Sequence, residues 1–518
     1  MELVVRIVEI DAGKPIAILN REDAAELGAH PLDRVTISSG KKKITVIVNT
    51  SNHLLKRGEI AVYHEIAHAL GLKSRQSVSV VKREELKSKE FIHNRIDGIE
   101  LKPREIKEIV EDVVELKLND LKIAAFITTL YKNPVSLEEA VGLSKAMVET
   151  GKRYSFGKKY VLDKHSIGGC PGDKTTLLLT PIIAAAGLTI PKTSSRSITS
   201  PAGTADRAEV LMPVNLSLNE IKRVVKKTNG CIVWGGALDM APADDLFIRV
   251  EHPLGLDPML LPSIISKKKC IGATHVVIDI PTGRGSKIKT FGQAKRLSDD
   301  FIHIGKEVGL KIDCGITLGE QPIGYTMGPA LEAREALNTI MGSGSSDVVD
   351  KATALSGILF AMVGKTHNYE DGKALALKIL RSGKAEKKLR EFIHEQGGKK
   401  TIKPDDIAVG EFKATIKSKE TGRVQWINNS ELVKIAMAAG TPNDKGAGIQ
   451  LYAKINDHVK AGDPLYSIYS EKRHKLREAE KIAEEIEPIV VIERLDKHML
   501  TCNISKLSYF SKYTDISR

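Results

Sequence analysis

The stretch Asp163-Lys164-His165-Ser166-Ile167-Gly168-Gly169-Cys170-Pro171-Gly172-Asp173-Lys174-Thr175-Thr176 decides the fold, because a short β-type run at 160–163 precedes it and a long apolar tract at 177–190 follows it. It reads as a strand-to-helix turn. Its three glycines, Gly168, Gly169 and Gly172, let the backbone approach a ligand closely, and the N–H groups that open the following helix favour an anion. Lys164, Ser166, Thr175 and Thr176 add further donors. The loop is not a Walker A motif, since Asp173 separates Gly172 from Lys174 where that motif needs Gly directly before Lys. An ordinary glycine-rich turn satisfies the same pattern.

A second polar cluster follows, Lys192-Thr193-Ser194-Ser195-Arg196-Ser197-Ile198-Thr199-Ser200-Pro201-Ala202-Gly203-Thr204, placed after another predicted strand. Its hydroxyls and two cations then belong to a loop at the C-terminal edge of a sheet, where open α/β folds bind ligands. Two donor-rich loops at one edge suit a ligand with two phosphates, although Ser and Thr are common in any loop.

Further out, residues 231–234, 274–280 and 311–317 read as strands that alternate with helices, one of them capped by Ser217 and Glu220. Residues 91–151 are helical in pattern: Ile106, Ile109, Val110, Val113 and Val114 form a stripe, Pro103 sits near its start, and Ser136 with Glu139 forms a capping box. The N-terminal part is β-rich at 3–10, 34–38 and 42–50, with Ser39-Gly40 as a turn and a short helix expected over 59–70. Beyond 415 the pattern is again β-rich at 423–426, 449–455 and 463–469, followed by a charged amphipathic helix at 471–487. At 518 residues one core does not suffice. The expected organisation is an α/β chain with a β-rich domain at 1–85, a helical lobe at 86–163 joined by 243–270, a large α/β lobe at 164–414, a C-terminal α/β domain at 415–500 and a tail at 501–518.

Composition narrows the partners. Lys and Arg (78) exceed Asp and Glu (65) to give a net charge of +13, but the lysines are spread along the chain in short runs. That favours one or two anion pockets over a nucleic-acid stripe, and aromatics at 4% are too few to build stacking platforms. Five cysteines without C-x-x-C spacing argue against a disulfide framework and fit a reducing cytoplasm. The N-terminus lacks a signal-peptide apolar region, and the 177–190 tract contains Pro181 and Gly187, so neither export nor a membrane span is expected.

His64-Glu65-Ile66-Ala67-His68 matches the zinc-hydrolase H-E-x-x-H pattern, and Gly71 extends it. Position 74 is Ser rather than the third His, and the stretch reads better as a surface helix with Ile66, Ala67 and Leu70 packing inward.

Six runs carry a family resemblance. Lys164-His165-Ser166-x-Gly168-Gly169, Ser194-x-Arg196, Ala202-Gly203-Thr204, Ala241-Pro242-Ala243-Asp244, Ser263-Ile264-Ile265-Ser266-Lys267-Lys268 and Gln321-Pro322-Ile323-Gly324 closely resemble the thymidine and pyrimidine-nucleoside phosphorylase family, in family order over about 85–490. The archaeal, AMP-using branch, which carries an additional N-terminal domain, matches best. The resemblance implies a helical lobe and a larger α/β lobe closing over a cleft, with a C-terminal α/β domain behind. It implies Lys164, Ser166, Thr176, Ser194 and Thr204 around phosphate, and His165 against sugar and base. Nucleotide contacts would come from Gly168, Gly169, Ser194, Ser195, Arg196, Ser197, Ile198, Thr199, Ser200, Thr204, Ser263 and Lys287, with Asp257 as proton donor. Where the pyrimidine enzymes carry Arg followed by Asp beside the base, this chain reads Arg249-Val250-Glu251, which weighs against pyrimidine recognition.

The implied reaction is AMP plus phosphate to adenine plus ribose 1,5-bisphosphate, with phosphate as co-substrate, no metal or organic cofactor, and a homodimer or larger homo-oligomer. Phosphate must be held on the face of the sugar opposite the leaving base, and a general acid must protonate that base. Asp257 is one candidate and His165 the other; an Asp needs burial or a ligand to hold a proton at neutral pH, and Asp257 also reads as a helix cap before Pro258. The competing readings are a thymidine or uridine phosphorylase, a zinc hydrolase and a basic nucleic-acid-binding protein.

Overall fold

The computed structural model describes residues 1–10, 13–82, 86–197, 200–238 and 240–492. The expected tail at 501–518 and two expected nucleotide contacts, Ile198 and Thr199, lie outside the described residues. The chain divides into two compact units, Met1–Tyr154 with Asp239–Cys270, and Ser155–Leu238 with Ile271–Arg518.

In the first unit, period-2 patterning closes a barrel. The strands Glu2–Val8, Glu59–Tyr63, Ile16–Leu19, Lys42–Thr50, Arg34–Ser39 and Ser77–Lys82 follow one another around it. Their alternate residues, among them Leu3, Val5, Val35, Ile37, Val46, Val48, Ile60, Val62, Val78 and Val80, fill the interior. The helix expected over 59–70 is corrected here. Residues 59–63 form a strand parallel to the first one, Val4 opposite Glu59, and the helix is only His64–Leu70. Ile60 and Val62 alternate into the barrel, which outweighs any helical preference of so short a run.

The helices Lys87–Ile96, Pro103–Val114, Asp120–Lys132, Leu137–Glu149, Pro242–Leu254 and Leu260–Cys270 complete this unit. Ile106, Ile109, Val110 and Val113 share its buried core with Phe126, Met147, Phe247 and Met259, so the apolar stripe packs as its period requires. Ser136 and Glu139 form the reciprocal capping box, and the same Glu139 holds the buried Arg95 at 2.9 Å.

The second unit is built on parallel strands. Lys311–Leu318, His275–Thr282 and Leu162–Ser166 lie side by side, and a bridge from Val161 to Thr189 carries the sheet on to Ile190–Ser194 and Gly230–Trp234. Successive strands after Leu162–Ser166 are laid first on one side of it and then on the other, so the topological switch point falls at its C-terminal end, where Ser166 and the glycine loop stand. Residues 192–194, expected in a loop, are the last residues of their strand. The apolar helix Thr176–Ala185 is buried on all sides, as a sequence with no polar face demands.

The C-terminal part of this unit carries a four-stranded sheet, in the order Thr326–Met327, Gly448–Leu451, Pro464–Ser470, Phe412–Lys417, and a three-stranded one of His458–Val459, Gly422–Ile427 and Ile489–Ile492. The helices Asn429–Ala438 and Arg473–Ile486 share a core with these sheets. Among the described residues no helix is long and apolar enough to cross a membrane.

Candidate active site

The glycine loop has the backbone its composition allows. Gly168, Gly169 and Gly172 adopt φ of +82°, +88° and +76°, values that L side chains rarely tolerate. A Cβ on Gly168 would meet nothing within 4 Å, so open space lies over the loop there. A Cβ on Gly169 would stand 2.6 Å from the Lys287 backbone nitrogen, which places the 283–287 loop directly against the glycine pair. Ser166 Oγ accepts from Gly168 N at 3.4 Å, and Thr176 is the buried first residue of the helix that follows the loop.

Beneath the loop lies a charge cluster that sequence reasoning missed. Lys164 Nζ sits 3.1 Å from Asp173 Oδ2 and 3.7 Å from Asp279 Oδ2, and Lys351 Nζ sits 2.7 Å from Asp279 and 3.7 Å from Asp173. Two cations and two carboxylates therefore neutralise one another in the interior. Burial would push the Asp173 carboxyl up, but Lys164 and Lys351 outweigh it and hold that carboxyl well below the usual range. Burial opposes the charge on Lys351 too, and Asp173 and Asp279 overcome it to raise its pKa. Thr317 Oγ1 donates to Asp279 Oδ1 at 2.6 Å. The signal for Asp279 was its place in the apolar run Val276-Val277-Ile278-Asp279-Ile280, where an unpaired carboxylate would be costly. Lys351 is likewise a buried cation, on the helix Ser346–Met362.

Lys174 has a different task. Its ammonium is fully buried and donates to Ile323 O at 2.9 Å, Thr326 O at 3.1 Å and Glu335 Oε2 at 2.6 Å. Burial alone would raise the Glu335 carboxyl, yet this lysine brings it down to about 2. Lys174 thus ties the Gln321-Pro322-Ile323-Gly324 run to the loop, and Ile323 N also donates to Pro171 O at 3.1 Å.

Ser194 closes the neighbouring strand, level with Ser166 through the Val161 to Thr189 bridge. Its buried Oγ has no hydrogen-bond partner among the described residues. The hydroxyl loop beyond it folds onto Asp206, whose Oδ2 accepts from Ser197 N at 2.7 Å and Gly203 N at 2.9 Å, while Ser195 O accepts from Ala205 N at 3.2 Å. Ser197 and Ser200 share a hydroxyl contact at 2.9 Å, and Thr204 opens the helix Thr204–Glu209. Arg196 is engaged inside the protein: it bonds Glu209 at 2.5 and 2.7 Å, reaches Asp206 at 3.3 Å and stacks over Trp234 at 5.0 Å. The hydrogen bond from Arg196 drives the Glu209 carboxyl down to about 2.

Asp257, Ser263 and Glu251 belong to the first unit. Asp257 is exposed in the loop between Leu254 and Leu260, three residues ahead of the helix Leu260–Cys270. Ser263 is half-buried in that helix, and His165 is half-buried next to Ser166 in the second unit. The buried carboxylate near Asp257 is Glu251, which accepts from Met259 N at 3.1 Å. Burial raises it to about 7, assisted by Asp257 and Asp244 and opposed by the Met259 N–H and Lys267.

The H-E-x-x-H helix is His64–Leu70 with Ile66, Ala67 and Leu70 buried, and its two imidazole centroids are 6.4 Å apart. Glu65 accepts from Gly13 N at 3.0 Å. Among the described residues no group of three or more His, Cys, Asp or Glu side chains is disposed to hold a metal ion.

A parallel sheet with a glycine loop and a hydroxyl loop at its switch point, preceded in the chain by a helical bundle, matches the pair of domains that make up the glycosyl transferase family. Family models described as glycosyl transferase family, helical bundle domain, and glycosyl transferase family, a/b domain, match residues 89–151 and 158–386. The pyrimidine nucleoside phosphorylase C-terminal domain matches 423–489. Among solved structures, the anthranilate phosphoribosyltransferases of Thermus thermophilus (TM-score 0.51, 18% identity, 59% of this chain and 98% of that one) and Saccharomyces cerevisiae (0.50, 15%, 60% and 98%) share the fold. The curated AMP phosphorylases of Thermofilum pendens and Thermococcus kodakarensis are each 45% identical, over 96% of this chain and 97% and 99% of their own. The chain belongs to the AMP phosphorylase family.

Proposed function

We propose that this protein cleaves AMP with inorganic phosphate, giving adenine and ribose 1,5-bisphosphate. Full-length similarity to AMP phosphorylases supports the reaction. The observation that carries the site is the close stacking of the 283–287 loop on Gly169 beside the ends of the Leu162–Ser166 and Ile190–Ser194 strands, which gathers donors for two anionic groups at one sheet edge.

In this reading a phosphate oxygen forms a bond to C1′ of the ribose as the C1′–N9 bond breaks, and the base departs with the electron pair and takes up a proton. Ser166, Ser194, Thr176, Thr204 and Lys164 receive the phosphate. Gly168, Gly169, Ser195, Arg196, Ser197, Ser200, Ser263 and Lys287 receive the nucleotide. The proton comes from Asp257 or His165, either of which would contribute roughly a hundred-fold to ten-thousand-fold. Phosphate is the co-substrate, no metal or organic cofactor takes part, and the enzyme works as a homodimer or larger homo-oligomer. A cytoplasmic setting agrees with Cys170, Cys231, Cys270 and Cys314 being free thiols.

The test is direct. Purified protein incubated with AMP releases free adenine only when phosphate is added; release that ignores phosphate would make it a hydrolase. Lys287→Ala separates a nucleotide enzyme from a nucleoside enzyme, since it cripples turnover of AMP and leaves turnover of an unphosphorylated nucleoside nearly unchanged.

A further inference from the structure

Asn429 is the first residue of the helix Asn429–Ala438 and is only 1% exposed, yet it does not cap that helix. Its neighbour Asn428 does so, accepting from Ser430 N and Glu431 N. The Asn429 amide instead donates from Nδ2 to Gly285 O at 3.2 Å and to Gly319 O at 3.0 Å. Both partners are carbonyls, so the amide must present its nitrogen to them. The match to the nucleoside phosphorylase C-terminal domain covers this residue, whereas Gly285 and Gly319 lie in the a/b match. A side chain of one thus fastens the backbone of the other.

Gly285 lies in the loop that carries Lys287. That loop is closed by Gly283 N to Ile288 O at 2.9 Å, by Ser286 Oγ to Gly283 O at 2.9 Å, and by Arg284 N to Glu320 Oε1 at 3.0 Å. Space on both sides of it is spent: a Cβ on Gly285 would stand 2.6 Å from Asn429 Nδ2, and a Cβ on Gly169 would stand 2.6 Å from Lys287 N. Asn429, Gly285, Lys287 and Gly169 therefore form a continuous stack with no slack.

We propose that Asn429 is a positioning residue for the nucleotide, holding the 283–287 loop at the level where Lys287 lies on the glycine pair. The inference rests on the AMP reading above. It assigns Asn429 a part in nucleotide affinity and none in phosphate affinity, because its two hydrogen bonds go only to the backbone of Gly285 and Gly319.

The experiment compares wild type, Asn429→Asp, Asn429→Ala, Gly285→Ala and the Asn429→Ala/Gly285→Ala double variant by KM for AMP, KM for phosphate, kcat and Tm. Asn429→Asp turns the donor into an acceptor facing two carbonyls and should raise KM for AMP about ten-fold or more, leaving KM for phosphate within about two-fold. Gly285→Ala should show the same selective defect from the other side. In the double variant the new methyl occupies the space vacated by the amide, so its KM for AMP should be no worse than that of Asn429→Ala alone. Equal rises in both KM values, a fall in Tm with no change in KM for AMP, or strictly additive defects would overturn the proposal. If Asn429→Asp fails to fold, Gly285→Ala and the double variant decide the matter alone. Should wild type itself release no adenine in a phosphate-dependent way, the AMP reading falls first and this inference with it.

Discussion

At the scale of single residues, the site and the stability of the protein pull in opposite directions. Ser194 buries a hydroxyl that finds no hydrogen-bond partner among the described residues, at a cost of about 1–3 kcal/mol. Ser194→Ala should therefore leave Tm unchanged or raise it while increasing KM for phosphate about ten-fold or more; a lowered Tm with intact kinetics would make the hydroxyl structural. Glu251 gives the second case. Its carboxyl is raised to about 7 in the folded protein, from an ordinary 4.5. The folded state then binds a proton that the unfolded chain has already released, so stability falls as pH rises from about 4.5 to 7 and levels off beyond. At 1.36 kcal/mol per pKa unit, the loss is about 3 kcal/mol. Glu251→Gln keeps an acceptor for Met259 N and removes the titration, so its Tm advantage over wild type should be absent near pH 4.5 and full at pH 8. A constant difference across that range would show that Glu251 does not titrate there.

At the scale of elements, the two glycines of the loop separate strain from contact. Gly168→Ala meets the φ penalty alone, about 1 kcal/mol, while Gly169→Ala adds a Cβ 2.6 Å from the backbone of Lys287. Calorimetry should find the second variant less stable than the first and weaker for AMP; equal effects would mean that the 283–287 loop yields freely. The glycine loop was legible in sequence because its cause is local, three positions at positive φ between a strand and a helix. The stripe in Pro103–Val114 and the box at Ser136 and Glu139 were legible for the same reason. The strand at Glu59–Tyr63 was not, because only its barrel neighbours give its alternation a meaning. Nor was the Lys164, Lys351, Asp173 and Asp279 cluster, whose members are brought together by burial from far apart in the chain. Arg196 was recognisable as a loop cation, but its engagement by Glu209 and Trp234 depends on a helix and a strand that follow it.

At the scale of the whole molecule, the lysines and arginines are spread along the chain, and Lys164, Lys174 and Arg196 near the sheet edge are each paired with a carboxylate. Chemistry by positioning and proton transfer needs no metal, so phosphate-dependent adenine release should survive exhaustive dialysis against a chelator, as should the His64→Ala/His68→Ala double variant. Loss of activity that zinc restores would return the barrel helix to consideration as a metal site. The division into units has one more effect. The polypeptide passes from one unit to the other three times, after Tyr154, after Leu238 and after Cys270. A protease that nicks any one of these junctions leaves two fragments that still contribute to a common packed unit, so a single cut should appear on a denaturing gel while the native particle keeps its mass.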